Sequence, residues 1–318
     1  MLMKSKYKIK MTTIGIVMAV IGTLSTSCAS LNRPSRMATE LNIQRMELLS
    51  EAVVIYWEQR MGGYVRLLRT LADFMGDYEF LPANIRRDVY DQLLFSALES
   101  NAGFWGIETV WLPNSIDGMD AQMIGRPGSS ATGQHSVIFL RDLPGRGIHQ
   151  RYTSVVAAEL VYYINNPNAR YGLAGNPESQ TVFGEEVSFF RISYPIISRG
   201  SNTVVGTVSA LVDISKVQPH LMELMLDNPE IAFMSVYANN GHIIASFNPA
   251  DINSNISGLT MVYGEDLSTV VQAVKYGENL FMRLRSPVLN DNLKMILRSF
   301  EIVSGIDMTW SVAIAVWR

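Results

Sequence analysis

Two apolar runs joined by a polar turn give the chain its strongest pattern. Val187 to Ile197 is rich in β-branched and aromatic residues with Ser and Arg between them, and Thr203 to Val212 is a second apolar run. Both patterns predict β-strands. The stretch Ser198 to Asn202 is polar, contains Gly200 and predicts the reversal. Gly200 and Gly206 stand where a turn or a bulge costs little. Asp213-Ile-Ser215 predicts the end of the second strand and the cap of a following helix, because Asp and Ser accept from free helix N–H groups.

Ahead of this hairpin, Arg36 to Met61 has helical spacing. Leu41, Leu48, Ala52 and Ile55 form one stripe, and Met46, Leu49, Val53 and Tyr56 its neighbour. Gly62-Gly63 interrupts the pattern, which resumes from Tyr64 to Met75 and leaves open one long helix or two. Asn84 to Ser100 predicts a helix with Ile85, Val89, Leu93 and Ala97 on one face and Asn84 as cap. Gly106 to Leu112 and Ser136 to Leu140 predict strands, with an aperiodic loop from Asn114 to Gly133 between them. Arg151 to Ile164 predicts a helix or a helix–strand join, and Asn165 to Glu178 is polar and turn-rich.

After Ser215 a helix is expected to about Leu226. Ile231 to Tyr237 and His242 to Phe247 then flank Asn240-Gly241, a strong hairpin signal. Asp266 to Lys275 predicts a helix, and three further strands follow at Asn279 to Ser286, Lys294 to Val303 and Thr309 to Val316. The second half therefore repeats the first in smaller form.

Several of these residues carry a resemblance. Ser193, Pro195, Ile196, Val205, Gly206, Asp213 and Ile214, followed by a helix, resemble the junction of the double Cache sensor domain. The run YANNGHIIASFNPADINSNI and the closing WSVAIAV are similar to the same family's later strands. The resemblance covers nearly the whole chain from Pro34. It implies an α+β fold with one long N-terminal helix and two PAS-like modules of antiparallel sheet. The expected divisions are 1–33 as signal or transmembrane anchor, 34–63 as stalk helix, 64–215 as membrane-distal module and 216–318 as membrane-proximal module.

Composition narrows the function. The chain is 48% hydrophobic and 17% charged, so it is globular. A net charge of −3 with no long basic run argues against nucleic acid. One cysteine in 318 residues excludes an internal disulfide framework. Met1 to Lys10 holds four lysines and Met11 to Leu31 is uncharged, which predicts a signal peptide or a membrane span. Both put the remainder outside the cytoplasm, and the expected location is the cell inner membrane with the sensor domain on the periplasmic side. Leu24-Ser-Thr-Ser-Cys28 resembles a loose lipobox, so lipidation at Cys28 is a further option beside a plain buried cysteine.

No catalytic motif stands out: there is no G-x-S-x-G, P-loop, G-x-G-x-x-G or H-E-x-x-H. His135, His149, His220 and His242 are scattered and expected in surface or turn positions. Asp117 and Asp120 lie in a loop without a third ligand at metal spacing. No cofactor or metal is expected, and an enzyme is the second-ranked class.

The resemblance implies a small-molecule ligand in the distal module. In amino-acid-binding members an Arg-x-Trp-Tyr run, a Tyr-x-Asp and the aspartate of D-I-S hold the two ends of the zwitterion. Here Asp213 matches the last, Tyr152 the tyrosine of the first run, and Tyr163-Ile-Asn165 the second with its charge lost. His149 and Arg151 stand where Arg and Trp are expected. The candidate set is Tyr152, Tyr163, Asn165, Asp213 and Arg151, with Trp111 as a wall, for an amino acid, an amine or another small polar solute. Tyr152 and Tyr163 can equally be core aromatics, and Asp213 a helix cap. The wide apolar face of the first helix also suggests a homodimer.

Overall fold

The computed structural model describes residues 36–141, 149–153, 158–182, 185–302 and 308–317. The Met11 to Leu31 run and Cys28 lie outside them. Among the described residues, no helix is long and apolar enough to cross a membrane. The described residues from Arg45 onward form one compact unit.

The helical spacing either side of Gly62-Gly63 resolves into one helix, α1 (Arg36–Met75). A second helix, α2 (Arg86–Ser100), follows a 3-10 turn at Ala83–Ile85. Asn84 lies in that turn and does not cap α2. The buried face of α2 also differs from the expected stripe. It carries Arg87, Tyr90, Asp91, Leu94, Ala97 and Leu98, while Ile85 is exposed. Two charged residues point inward because loop groups neutralise Arg87, a compensation that hydrophobic spacing does not register.

The first sheet contains β1 (Phe104–Trp111), β2 (Ser136–Arg141), β3 (His149–Thr153), β4 (Leu173–Ala174), β5 (Glu178–Val182), β6 (Glu185–Ile197) and β7 (Val204–Asp213). Their order is β3-β2-β1-β7-β6-β4, with β5 also on β6. Every pairing is antiparallel. The β6–β7 hairpin is therefore central. Gly206 sits where its partner strand slips register at Ile196/Ile197, and a Cβ there would stand 2.7 Å from the Val110 carbonyl oxygen. Between β3 and β4 runs α3 (Ala158–Asn165).

A linking helix, α4 (Val217–Asp227), leads to the second sheet. Its strands are β8 (Ile231–Ala238), β9 (Ile243–Ser246), β10 (Leu280–Ser286), β11 (Asp291–Glu301) and β12 (Thr309–Trp317), in the order β10-β11-β12-β8-β9. Gly241 takes a φ of +84° in the turn between β8 and β9, a conformation that suits glycine. Helix α5 (Thr260–Tyr263) and helix α6 (Leu267–Tyr276) cover the outer side of this sheet.

Strand alternation gives each sheet two faces. Phe190, Ile192, Ile196, Val208, Ala210 and Val212 of the first sheet share one core with α1 and α2. Ile314, Val312, Trp310 and Ile296 of the second sheet enter the same core. Helix α1 thus packs on both sheets: Trp57 meets Trp310 at 6.3 Å, and Tyr64 meets Phe104 at 4.9 Å between ring centroids.

Candidate ligand-binding face

The outer face of the first sheet, opposite α1, is unlike the inner one. Gly106, Glu108 and Val110 of β1 lie beside Leu211, Ser209 and Thr207 of β7, and these beside Arg191, Ser193 and Pro195 of β6. Small and polar residues replace the branched apolar ones found on the inner side. Leu160 of α3 closes over Val110. Trp105 and Phe189 form an apolar wall with Leu211 at the other end of the face.

The centre of this face is ionic. Arg191 reaches from β6 across β7, and its Nη1 donates to Oε1 of Glu108 on β1. Glu108 is only 4% exposed. The Nε of Arg191 also lies 3.5 Å from Oε1 of Glu159 on α3. One guanidinium thereby joins two carboxylates, one in the sheet and one in the helix above it. Burial pulls the Arg191 guanidinium below its ordinary pKa. Glu178, at the start of β5, is pushed up by partial burial and by the charge of Glu159.

Beside the ion pair, Ser193 and Ser209 join hydroxyls at 2.7 Å. The Thr207 Oγ1 and the Trp105 Nε1 are buried and have no hydrogen-bond partner among the described residues. Buried polar atoms normally find partners, so these two are hydrogen-bonding capacity that the packing of the outer face leaves unused; on the inner face the Trp111 Nε1 is likewise unpaired among the described residues.

The sequence-derived candidates distribute unevenly over this structure. Tyr163 lies over the outer face and is fully buried, with its hydroxyl 3.0 Å from the carbonyl oxygens of both Tyr171 and Ser193. Its proton is committed to those carbonyls, and burial, then the nearby Tyr194, raises its pKa. Tyr152 pairs with Ile138, and Arg151 with Phe139, along the β2–β3 ladder. Asn165 ends α3 and is exposed. It lines a surface depression of about 400 Å³ with Asn166, Pro167, Asn168, Ala169 and Tyr171, in the polar turn after α3.

Asp213 ends β7. Its Oδ1 accepts from the N–H of Ser215 at 2.9 Å and from the Ser215 hydroxyl at 2.6 Å, and Lys216 Nζ stands 3.9 Å from Oδ2. The turn carries the chain toward α4, but the cap position of that helix is Lys216 and has no side-chain cap bond. Trp111 is on the inner face. It stacks on Tyr90 at 5.7 Å and meets Tyr78 edge-on at 5.4 Å, so the structure does not bring it to Tyr163.

Sequence reasoning passed over Glu108, Glu159, Arg191 and Thr207. A signal was present: Glu108 interrupts GIETVWL and Arg191 interrupts VSFFRISYPII, each a single charge inside an apolar strand.

A second polar cluster is structural. Arg87, 1% exposed, uses Nε on Asp117 Oδ2 (2.6 Å) and Nη2 on Asp117 Oδ1 (2.9 Å) and Asp120 Oδ1 (2.6 Å). Its Nη1 serves Ser129 Oγ (3.2 Å) and the Gly133 carbonyl (2.6 Å). All five guanidinium donors are satisfied, and the loop from Asn114 to Gly133 is pinned to α2. Burial alone would raise the Asp117 pKa, but hydrogen bonds from Arg87 and the Met119 N–H outweigh it and leave it lowered. His135, expected at the surface, is 1% exposed beside this cluster. Among the described residues no group of three His, Cys, Asp or Glu side chains is placed to hold a metal ion.

Solved structures share this architecture. Methyl-accepting chemotaxis protein X matches with a TM-score of 0.68 and 17% identity, over 89% of this chain and 100% of its own. The extracellular domain of the histidine kinase mmHK1S-Z3 matches at 0.65 and 16%, over 88% and 94%. The ligand-binding domain of the Pseudomonas aeruginosa PAO1 amino-acid chemoreceptor PctC, in complex with GABA, matches at 0.53 and 13%, over 87% and 99%. No protein-family model matches the sequence, and no curated protein is detectably similar to it. The chain has the α+β fold of the extracytoplasmic sensory domains of chemoreceptors and sensor kinases. That fold, one long helix followed by two antiparallel-sheet modules, is the double Cache fold.

Proposed function

We propose that this chain is the extracytoplasmic ligand-sensing part of a chemoreceptor-type signal transduction protein and performs no catalysis. It binds a small polar solute over the outer face of the first sheet and passes a small displacement to α1. In this reading residues 1–33 anchor the chain in the cell inner membrane, 34–63 form the stalk, 64–215 are the membrane-distal module and 216–318 the membrane-proximal one. Two copies pair along α1.

One observation carries the reading: a buried ion pair and the unpaired Thr207 hydroxyl lie on the face of the first sheet that α3 covers, opposite the face that packs on α1. The ion pair compensates its own charges, but the small and polar side chains around it and the unpaired Thr207 hydroxyl leave hydrogen-bonding capacity that the packing does not use. The ligand-binding neighbour bound to GABA supports a small solute as the occupant.

The experiment is a thermal-shift screen of small polar solutes on the full chain, with mass spectrometry of each hit. Specific stabilisation without chemical change supports a sensor. Turnover of the hit would make it an enzyme. An alkaline phosphatase reporter fused after Ser100 tests the location and should be active; an inactive reporter there overturns the topology. The Leu24-Ser-Thr-Ser-Cys28 stretch favours a second form of anchoring, a solute-binding lipoprotein. Loss of fatty-acid labelling in Cys28→Ala would select it.

A further inference from the structure

We propose that the outer face of the first sheet takes an organic cation, a primary amine or guanidinium compound without a free carboxylate. The inference rests on the reading of that face as the solute site and specifies the charge of its occupant.

Charge on the face is the first ground. Glu108 stands in the middle of the sheet and Glu159 on the helix above it, and both engage the one guanidinium of Arg191. Glu178, exposed at the start of β5 and paired with Phe189, adds a third carboxylate at the edge of the face. Among the described residues, then, the immediate surroundings hold more carboxylate than cation. A ligand carboxylate would compete with Glu108 for Arg191 while meeting the fields of Glu108 and Glu159. A ligand cation meets an excess of negative charge in a site that screens it poorly.

The second ground is independent of charge. Thr207 is 1% exposed, and its hydroxyl oxygen has no partner among the described residues. It stands on the same face, across the ladder from Val110 and next in line to Ser209. That oxygen can accept a hydrogen bond from an ammonium or guanidinium N–H. Trp105 and Phe189 supply an aromatic wall at the other end of the face, the surface on which a cation is held best.

The same geometry says how occupation would be reported. Arg191 joins Glu108 in the sheet to Glu159 on α3, so its guanidinium stands where a ligand cation would meet the two carboxylates. An incoming cation takes over Glu108 or Glu159, releases Arg191 from one of them and frees α3 to shift on the sheet.

The test uses the full chain in detergent micelles and three charge classes of matched size. The core series is butane-1,4-diamine, 4-aminobutanoate and butanedioate, extended to two- to eight-carbon homologues and to guanidino compounds. Members of the cation class should raise the melting temperature and bind in calorimetry, with the matched zwitterion at least tenfold weaker and the dicarboxylate inert. Glu108→Gln should weaken the cation at least tenfold. Glu159→Gln, on the more exposed carboxylate, should do so too and covers the case in which Glu108→Gln fails to fold. Tighter binding by zwitterions or carboxylates overturns the cation assignment and leaves the solute site standing. Cation binding that ignores both substitutions, or no binding in any class, overturns the solute site and the cation assignment together.

Discussion

Phe190 of β6 and Trp310 of β12 meet edge to face, with ring centroids 5.5 Å apart. They belong to different sheets, and Trp57 of α1 lies against Trp310 as well. Arg191, at the centre of the candidate site, is the residue after Phe190 on the same strand. A displacement of β6 therefore has a packed route to α1 and to the second sheet, through rings that cannot compress. Trp310→Ala is expected to lower stability by about 3–5 kcal/mol in urea unfolding of the full chain. A loss below about 1 kcal/mol would show that this contact does not join the modules.

Arg87 should be among the most sensitive positions. Arg87→Met removes the partner of Asp117 and Asp120, both in buried surroundings. Breaking such a pair costs about 3–5 kcal/mol because carboxylates are left uncompensated. The double change Arg87→Met with Asp117→Asn should recover part of the loss, and unfolding midpoints of the two variants measure it.

His135 predicts a pH dependence. Burial favours its neutral ring; Asp91 opposes this, while Arg87 and Arg126 reinforce it, and the pKa is lowered. The folded chain therefore binds fewer protons at this site than the unfolded chain does. Its contribution is fully present above about pH 6.5, the ordinary histidine value, and is lost as pH falls through the lowered folded pKa. Urea midpoints between pH 7.5 and 5 should fall less steeply in His135→Gln than in the unaltered protein. Parallel curves would show that His135 does not titrate in this range.

Much of this architecture was visible in the sequence. The β6–β7 hairpin, the Asn240-Gly241 turn and the closing strands declare themselves through alternation and turn residues that depend only on local chain geometry. The Gly62-Gly63 ambiguity resolved toward one helix because Trp57, Met61, Leu68 and Leu71 bury on one continuous side, and that packing outweighs two weak helix formers. The face of α2 was not legible, since Arg87 and Asp91 point inward only because loop residues 30 or more positions away neutralise Arg87. The site was harder still. Trp111 and Tyr163 look alike as aromatic candidates, but strand parity and helix position put them on opposite sides of the sheet. Glu108 and Arg191 become a pair only through the β1-β7-β6 strand order, which no local pattern contains.

The proposed pairing of two copies along α1 makes a periodic prediction. Leu48, Ile55 and Tyr56 are exposed, at 53%, 45% and 40%, while Met46, Val53 and Trp57 are buried in the chain's own core. Single cysteines in a Cys28→Ala background should cross-link between copies at positions 48, 52 and 55 and not at 46, 53 or 57. Uniform or absent cross-linking rejects the seam.

The most direct test of the sensing account is hydrogen–deuterium exchange of the full chain with and without a saturating solute from the screen. The account predicts added protection in α3 and in the central strands β1, β6 and β7, together with a change in α1 on the side facing that sheet. Protection confined to β8–β12, or none in the first sheet despite proven binding, would contradict it.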